Sequence, residues 1–168
     1  MKLLATLFSL LGLTLCAKAE PLAVGAPAPD VSALDQNGAP LVLKEVFAKG
    51  PTLVYFYPKA DTPGCTKQAC SLRDDWAALT AKGIQVLGVS GDKPESQKKF
   101  EEKYKLPFTL VADPEGKVAA GFGVPFTMGF AKRMSFLIKD GKVVWTMPAA
   151  STTDHAKDVL KAFDALPK

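Results

Sequence analysis

Two strand-like runs separated by a segment of helical periodicity constrain this fold more than any other feature of the sequence. The first run, TLVYFY at 52–57, is β-branched and aromatic, as in strands that are buried on both faces of a sheet. Across 65–82, apolar residues recur at spacings of three and four, which predicts a helix. The run at 84–90 predicts a second buried strand. Strands in this arrangement pair in parallel, with the helix as their crossover.

Further elements extend this unit in both directions. Gln36-Asn37-Gly38 and Lys139-Asp140-Gly141 are turn signals between apolar runs and predict two β-hairpins. The predicted elements are hairpin strands at 31–34 and 41–43, a helix at 93–104 opened by an Asp92-x-x-Glu95 capping box, a strand at 108–112, a short helix at 117–122, hairpin strands at 134–138 and 142–147, and a closing helix at 154–166. This order predicts an α/β fold with a central mixed β-sheet, helices on both faces and an N-terminal β-hairpin. It resembles the thioredoxin-like fold.

The N-terminal segment 1–19 predicts a cleaved secretory signal peptide. It has one lysine near its start, an uncharged run at 3–16, and Ala17 and Ala19 in an A-x-A cleavage context. The apolar run is short for a membrane span. We therefore expect a mature single domain over 20–168, with no stable membrane span after cleavage.

Two alternatives remain for this segment. Cys16 could carry a lipid, although Leu15 before it is larger than lipid attachment favours, or the segment could stay as an uncleaved anchor. If the segment is cleaved, we expect the protein to be exported, in a bacterium to the periplasm. Cleavage would also remove Cys16 and leave Cys65 and Cys70 as the cysteines of the mature chain. A thiol pair in an oxidising compartment is normally a disulfide or a redox centre.

Composition excludes several other classes of protein. Hydrophobic residues make up 48% and charged residues 23% of the 168 residues, which is typical of a core-forming domain and excludes disorder. The net charge of +4 forms no basic stripe, so we expect no nucleic-acid partner. One histidine and three cysteines are too few for a four-ligand zinc site, and we expect no metal and no cofactor. We expect His155 to be exposed in the first turn of the last helix.

Cys65 lies where the loop PKADTPG enters the first predicted helix. The positive end of the helix dipole favours the thiolate, which is the nucleophilic form of cysteine. Thr62 can donate its hydroxyl to the sulfur or to a bound oxygen, and Pro58 can shield the pocket from water. Each residue also has an ordinary interpretation: an inert buried cysteine, an N-cap threonine and a turn proline. Together with a second nearby thiol, they favour a reactive site.

Cys70 lies five residues after Cys65, and helix geometry separates the two thiols. Five residues of intact helix place the Cα atoms roughly 8.7 Å apart, whereas a disulfide normally needs less than about 7 Å. A bond between the two sulfurs therefore requires the first turn to unwind, and such a strained disulfide is easily reduced. This favours a cycling pair over a structural disulfide, and the alternative is a static bridge in a loop that is not helical.

Two arginines could supply a positive charge beside Cys65. Arg133 precedes the strand at 134–138, and Arg73 follows Cys70 by three residues. A guanidinium there would favour the thiolate and could polarise a leaving oxygen, but either arginine could instead form a surface ion pair. Spacing alone does not choose between them.

The loop and helix start resemble a known family. Pro58, Thr62 and Cys65 reproduce the P-x-x-x-T-x-x-C signature of peroxiredoxins, and YFYPKADTPGCTKQACSLRDD closely resembles the peroxiredoxin Q group, also called bacterioferritin comigratory protein. The similarity includes the GAPAPD lead-in, the Phe108–Gly123 segment and RMSFLI from Arg133.

The resemblance implies a thiol peroxidase that reduces hydrogen peroxide and organic hydroperoxides. It implies that Cys65 is the peroxidatic and Cys70 the resolving cysteine, that Thr62 and Arg133 activate the peroxide, and that Pro58 shields the site. The partner would be a thioredoxin-like or other dithiol reductant. Because both cysteines lie in one chain, resolution needs no second subunit, and we expect a monomer.

Other classes of function remain open at the level of sequence. A thioredoxin-type disulfide exchanger normally has two residues between its cysteines, whereas four separate Cys65 from Cys70. A copper-delivery protein on the same fold would need a histidine placed to join the thiols, and we expect His155 to lie in the last helix, away from them. A non-catalytic interaction domain with an incidental disulfide is the third alternative.

Overall fold

A computed structural model describes residues 20–167 of the protein. Within these residues the strands are β1 Ser32–Asp35, β2 Pro40–Val42, β3 Thr52–Phe56, β4 Gln85–Ser90, β5 Thr109–Ala112, β6 Phe126–Thr127, β7 Phe130–Ala131, β8 Met134–Lys139 and β9 Lys142–Met147. The helices are α1 Leu43–Phe47, α2 Pro63–Asp74, α3 Trp76–Ala81, α4 Pro94–Tyr104, α5 Lys117–Gly121 and α6 His155–Asp164. The signal-peptide prediction and the alternative for Cys16 lie outside the described residues.

Seven strands form one mixed sheet in the order β2-β1-β5-β4-β3-β8-β9. At its centre β3 is parallel to β4, and β4 is parallel to β5. On the other side β8 is antiparallel to both β3 and β9, and β1 and β2 form the N-terminal hairpin. The predicted parallel centre and both predicted hairpins are confirmed.

Strand β3 is buried on both faces because its side chains alternate between two hydrophobic cores. Val54 and Phe56 join a core with α1 and α5, whereas Leu53 and Tyr55 join a core with α2, α3, α4 and α6. Helices therefore cover both faces of the sheet, as predicted. Cys65 belongs to the second core.

The helix predicted over 65–82 differs from the structure at its start and in its middle. It begins at Pro63, where proline fits the first helical turn because the missing N–H would have no partner there. It divides at Asp75, which is the residue after the end of α2 and directly before the start of α3. Aspartate disfavours a helix interior because its carboxylate competes for backbone groups. The second segment places the Trp76 ring 5.9 Å from that of Phe108, centroid to centroid.

The sequence did not predict helix α1 or the small hairpin of β6 and β7. The hairpin turns through Met128 and Gly129, both at positive φ (52° and 84°), without the Asn-Gly or Asp-Gly pair that signals such a turn. Its tip lies against Gly91, where a Cβ would be 2.0 Å from the Gly129 carbonyl oxygen. Gly91 therefore allows the hairpin to close over the end of β4.

Across residues 20–167, no helix has the length and apolar character needed to cross a membrane.

Candidate active site

Cys65 is in the first turn of α2, with its side chain directed into the core. The residue is 1% exposed, and Thr62 is the extended N-cap residue of the helix. The Thr66 amide closes the first backbone bond to the Thr62 carbonyl at 2.8 Å. Helix geometry leaves the earlier amides without intrahelical acceptors, so this end of α2 favours an anion.

The structure brings Arg133, and not Arg73, to Cys65. Arg133 Nη2 donates to Cys65 Sγ at 3.2 Å, from the residue directly before β8. Arg73 instead forms an ion pair with Asp74 at 2.7 Å and donates to the Tyr104 carbonyl at 2.8 Å. The sequence did not choose between Arg73 and Arg133. The antiparallel pairing of β8 with β3 places Arg133 at the end of the sheet next to α2, and so beside Cys65.

Thr62 and Pro58 lie on the loop between β3 and α2. The Thr62 hydroxyl donates to the Lys59 carbonyl at 3.0 Å, so in this structure it is directed to the loop's own backbone. Pro58 is half-buried. Asp61 has a φ of 58°, and its carboxylate accepts from Lys103 Nζ and Tyr104 Oη at 2.7 and 2.6 Å.

Asp92 provides a second anchor for this loop, and the capping box predicted from Asp92 and Glu95 is wrong. Lys93 is the N-cap residue of α4, and no side chain caps that helix. The Asp92 carboxylate instead accepts from the Ala60 amide at 2.7 Å and from Ser90 Oγ at 2.8 Å. Asp92 thus joins the loop to the end of β4 and does not cap α4.

Cys70 lies in the same unbroken helix as Cys65. Both thiols are free, and Cys70 is half-buried whereas Cys65 is buried. Helix α2 is continuous from Pro63 to Asp74, and in a continuous helix residues five apart are too far from each other for their sulfurs to bond. The structure is therefore that of the reduced protein.

A buried polar network extends from Arg133 away from the sulfur. Arg133 Nη1 donates to Gln68 Oε1. Gln68 Nε2 lies 3.1 Å from His155 Nδ1, and His155 Nε2 lies 2.8 Å from Ser135 Oγ. Gln68, Ser135 and His155 are all fully buried.

This network overturns the expectation that His155 is exposed. The residue does open the last helix, but that turn packs against α2 and β8, so the ring points inward. The amphipathic periodicity at 154–166 predicts that later residues of this helix form its buried face, and it does not predict that His155, the first residue of α6, is buried. Gln68 was also missed, although its position three residues after Cys65 places it on the same face of α2.

The profile of the AhpC/TSA family matches residues 24–146, which include the loop, α2, Arg133 and Ser135. The chain belongs to the AhpC/TSA family. The resemblance to peroxiredoxins is thereby confirmed.

Within the AhpC/TSA family the chain is similar to the peroxiredoxin Q and Bcp proteins. Peroxiredoxin Bcp of Escherichia coli (strain K12) is 44% identical over 148 residues, covering 83% of this chain and 94% of that protein. Chloroplastic peroxiredoxin Q of Sedum lineare is 48% identical over 101 residues, covering 60% of this chain and 54% of that protein. The matched part of the chain spans about half the length of the chloroplastic relatives.

Solved structures of the same branch share the fold. Peroxidoxin BcpB from Mycobacterium tuberculosis superposes with a TM-score of 0.80 at 34% identity, covering 86% of this chain and 98% of that one. The bacterioferritin comigratory protein of Xanthomonas campestris superposes with a TM-score of 0.76 at 28% identity, covering 86% and 96%. The predicted thioredoxin-like peroxiredoxin fold is confirmed.

Burial and the nearby charge of Arg133 keep the His155 ring neutral. Burial, and then the positive charge of Arg133, lower the pKa of His155 from 6.5 to about 3. The group is therefore uncharged in the folded protein at neutral pH, with one ring proton to donate and one nitrogen to accept.

This lowered pKa predicts how stability depends on pH. As pH falls below about 6.5, the unfolded chain takes up a proton at His155 that the folded chain takes up only near pH 3, so stability falls over that window. We expect the free energy of unfolding in urea to decrease by up to about 1.4 kcal/mol per pH unit from this group. His155→Asn is the control because it shares every carboxylate with the wild type. Equal pH slopes for the two proteins between pH 6.5 and 5 would contradict the prediction.

Among residues 20–167, no group of three or more His, Cys, Asp or Glu side chains is placed to hold a metal ion.

Proposed function

We propose that this protein is a thiol peroxidase that reduces hydrogen peroxide and organic hydroperoxides. The observation that carries the proposal is the 3.2 Å contact from Arg133 Nη2 to Cys65 Sγ at the start of α2. It is supported by membership in the AhpC/TSA family, by the peroxiredoxin names of the relatives, and by the alkyl peroxide reduction activity named for the Xanthomonas campestris protein.

The first step is attack of the Cys65 thiolate on the terminal oxygen of the hydroperoxide. An S–O bond forms as the O–O bond breaks, and the electron pair of the O–O bond leaves on the peroxide oxygen that was not attacked. That oxygen takes a proton from the solvent, which received one when the thiol ionised, and departs as water or an alcohol. Arg133 and the free amides of the first turn stabilise the departing charge, and the Thr62 hydroxyl joins them once it rotates away from the Lys59 carbonyl. Pro58 limits the access of water. Sulfur is oxidised to sulfenic acid as the peroxide is reduced.

The second step joins Cys70 to Cys65. The Cys70 sulfur attacks the sulfenic sulfur, an S–S bond forms, the S–O bond breaks, and hydroxide leaves with the Cys70 proton as water. The start of α2 must unwind for this, because both cysteines lie in one continuous helix. The bond from the Ala156 amide to Ser71 Oγ, 3.2 Å long, lies beyond Cys70 and can hold the rest of α2 against α6.

The cycle closes when a dithiol reductant, thioredoxin-like or of another kind, donates two electrons and two protons to the bridge. Because both cysteines belong to one chain, the proposed cycle runs in a monomer. We also propose that residues 1–19 direct export to the bacterial periplasm and are removed, on the strength of their charge, apolar run and A-x-A pattern.

The copper-delivery alternative loses its support in this geometry. Both ring nitrogens of His155 are engaged, one with Gln68 and the other with Ser135. The ring is therefore not available to join Cys65 and Cys70 as a metal ligand.

Mass spectrometry of the protein after one equivalent of hydrogen peroxide tests the proposed function. We expect the intact mass to fall by two hydrogens and a digest to contain a peptide in which Cys65 is bridged to Cys70. The same protein without peroxide is the control, and its mass also reports whether the chain starts at Glu20. An unchanged mass, or oxygen added without a bridge, would contradict the proposed cycle.

A further inference from the structure

The buried His155 ring is held on three sides. Gln68 and Ser135 contact its two nitrogens, and the Tyr55 ring packs edge-to-face against it with centroids 5.6 Å apart. The ring therefore has a fixed position and orientation. Through Gln68 it lies only one side chain from Arg133, the residue that contacts the reactive sulfur.

The direction of every hydrogen bond in this network follows from Arg133. A guanidinium can only donate, so the Gln68 atom that faces Arg133 must be its carbonyl oxygen. The Gln68 amide nitrogen then faces His155 and donates to Nδ1. Because Nδ1 accepts, the proton of the neutral ring resides on Nε2, which donates to Ser135 Oγ.

Because of these hydrogen-bond directions, the contact between Gln68 and Arg133 depends on an acceptor at His155 Nδ1 for the Gln68 amide nitrogen. A buried amide that loses the acceptor for its N–H₂ group incurs the cost of an unsatisfied donor. Rotation of the amide could relieve that cost, but it would turn N–H₂ toward the guanidinium and replace an attraction with a clash of donors. The Arg133 guanidinium would then lose the partner that holds its Nη1 while Nη2 contacts Cys65.

We propose that His155 is a positioning residue of the peroxide reaction: by accepting from Gln68 at Nδ1, it fixes the Arg133 guanidinium against Cys65 Sγ. The inference rests on the proposed peroxidase function. It assigns a role to the fully buried first residue of α6, which does not touch the reacting atoms. Displacement of a charged group by about 1 Å can cost roughly 10²-fold in rate, so a small error in guanidinium position has a large effect.

Two variants of similar polarity separate positioning from packing. The amide of asparagine takes the place of Nδ1 and can present an oxygen to Gln68, whereas the longer side chain of His155→Gln places its amide near Nε2 and Ser135. We expect His155→Asn to keep the rate constant of Cys65 with hydrogen peroxide within about threefold of wild type and His155→Gln to lower it about 10- to 100-fold. Single-turnover stopped-flow fluorescence, with Trp76 and Trp145 as reporters, measures this rate.

Alkylation of Cys65 by iodoacetamide is the second measurement. That reaction uses the same thiolate but has no departing peroxide oxygen for Arg133 to stabilise, so we expect His155→Gln to slow alkylation less than peroxide reduction. Val159→Ala is the matched control, since Val159 is fully buried one turn further along α6 and contributes to the core only. It should lower stability while the peroxide rate stays at the wild-type value.

The outcomes distinguish this inference from the proposed function. Asn and Gln variants with equal peroxide rates, or Val159→Ala slowed as much as His155→Gln, would overturn the positioning role even if the wild type is fast. Equal losses in alkylation and peroxide reduction would also overturn it. A wild-type rate no higher than that of free cysteine would overturn the proposed function, and this inference with it.

Discussion

Cys65→Ser is expected to abolish peroxide consumption by the purified protein. A serine hydroxyl at the start of α2 is not ionised at neutral pH and does not attack peroxide oxygen. Arg133 and the helix amides remain in place but have no nucleophile beside them, so no reaction follows. The measurement is loss of hydrogen peroxide in the presence of excess dithiol. We expect the rate to equal that of the reductant alone.

Cys70 is the internal control for this variant. Cys65→Ser retains the Cys70 thiol, which is half-buried and lies outside the first turn. A peroxide rate near that of the wild type in Cys65→Ser would mean that Cys70, and not Cys65, is the nucleophile. Thermal unfolding of the variant should stay close to that of the wild type because the replacement is nearly isosteric.

Cys70→Ser is expected to allow one turnover and then stop. Cys65 keeps its contact with Arg133, so the first equivalent of peroxide should be reduced at the wild-type rate and leave a sulfenic acid. Without a second thiol in the helix, no internal disulfide forms, and further peroxide should convert the sulfenic acid to sulfinic acid. A dimedone-type probe and the intact mass follow both products.

Steady-state turnover is the decisive readout for Cys70→Ser. With a dithiol supply that sustains the wild-type rate, we expect the rate of the variant to fall sharply after a burst equal to the protein concentration. Undiminished steady-state turnover would show that Cys70 is not the resolving residue. It would also remove the need for α2 to unwind, since that need arises only because both cysteines lie in one continuous helix.

Thr62, in the loop before Cys65, and Asp92, after β4, are residues that local sequence patterns identify without predicting their hydrogen-bond partners. The sequence predicts that Thr62 donates to the sulfur or a bound oxygen and that Asp92 caps the following helix, but in the structure Thr62 donates to the Lys59 carbonyl and Asp92 accepts from the Ala60 amide. Short polar side chains have several partners available within a few residues. Which partner is chosen depends on how β4 and the loop after β3 approach each other in space.

Sequence alone determined most of the central strands and longer helices, their buried faces and the position of Cys65 at the start of a helix. Apolar periodicity reports which side of a strand or helix is buried, and that information is local, so β3, β4, the terminal hairpins and the place of Cys65 could be predicted. The spacing of Cys65 and Cys70 likewise follows from helix geometry alone.

Tertiary structure alone decided which distant residues meet at the sulfur. Arg133 is 68 residues from Cys65, and Gln68 is 87 residues from His155. Such contacts depend on strand order and on the packing of α6 against α2, which no local pattern encodes. Burial of His155 is the clearest case, because a polar residue at the start of an amphipathic helix is placed by its long-range hydrogen bonds and not by the hydrophobic periodicity of its own segment.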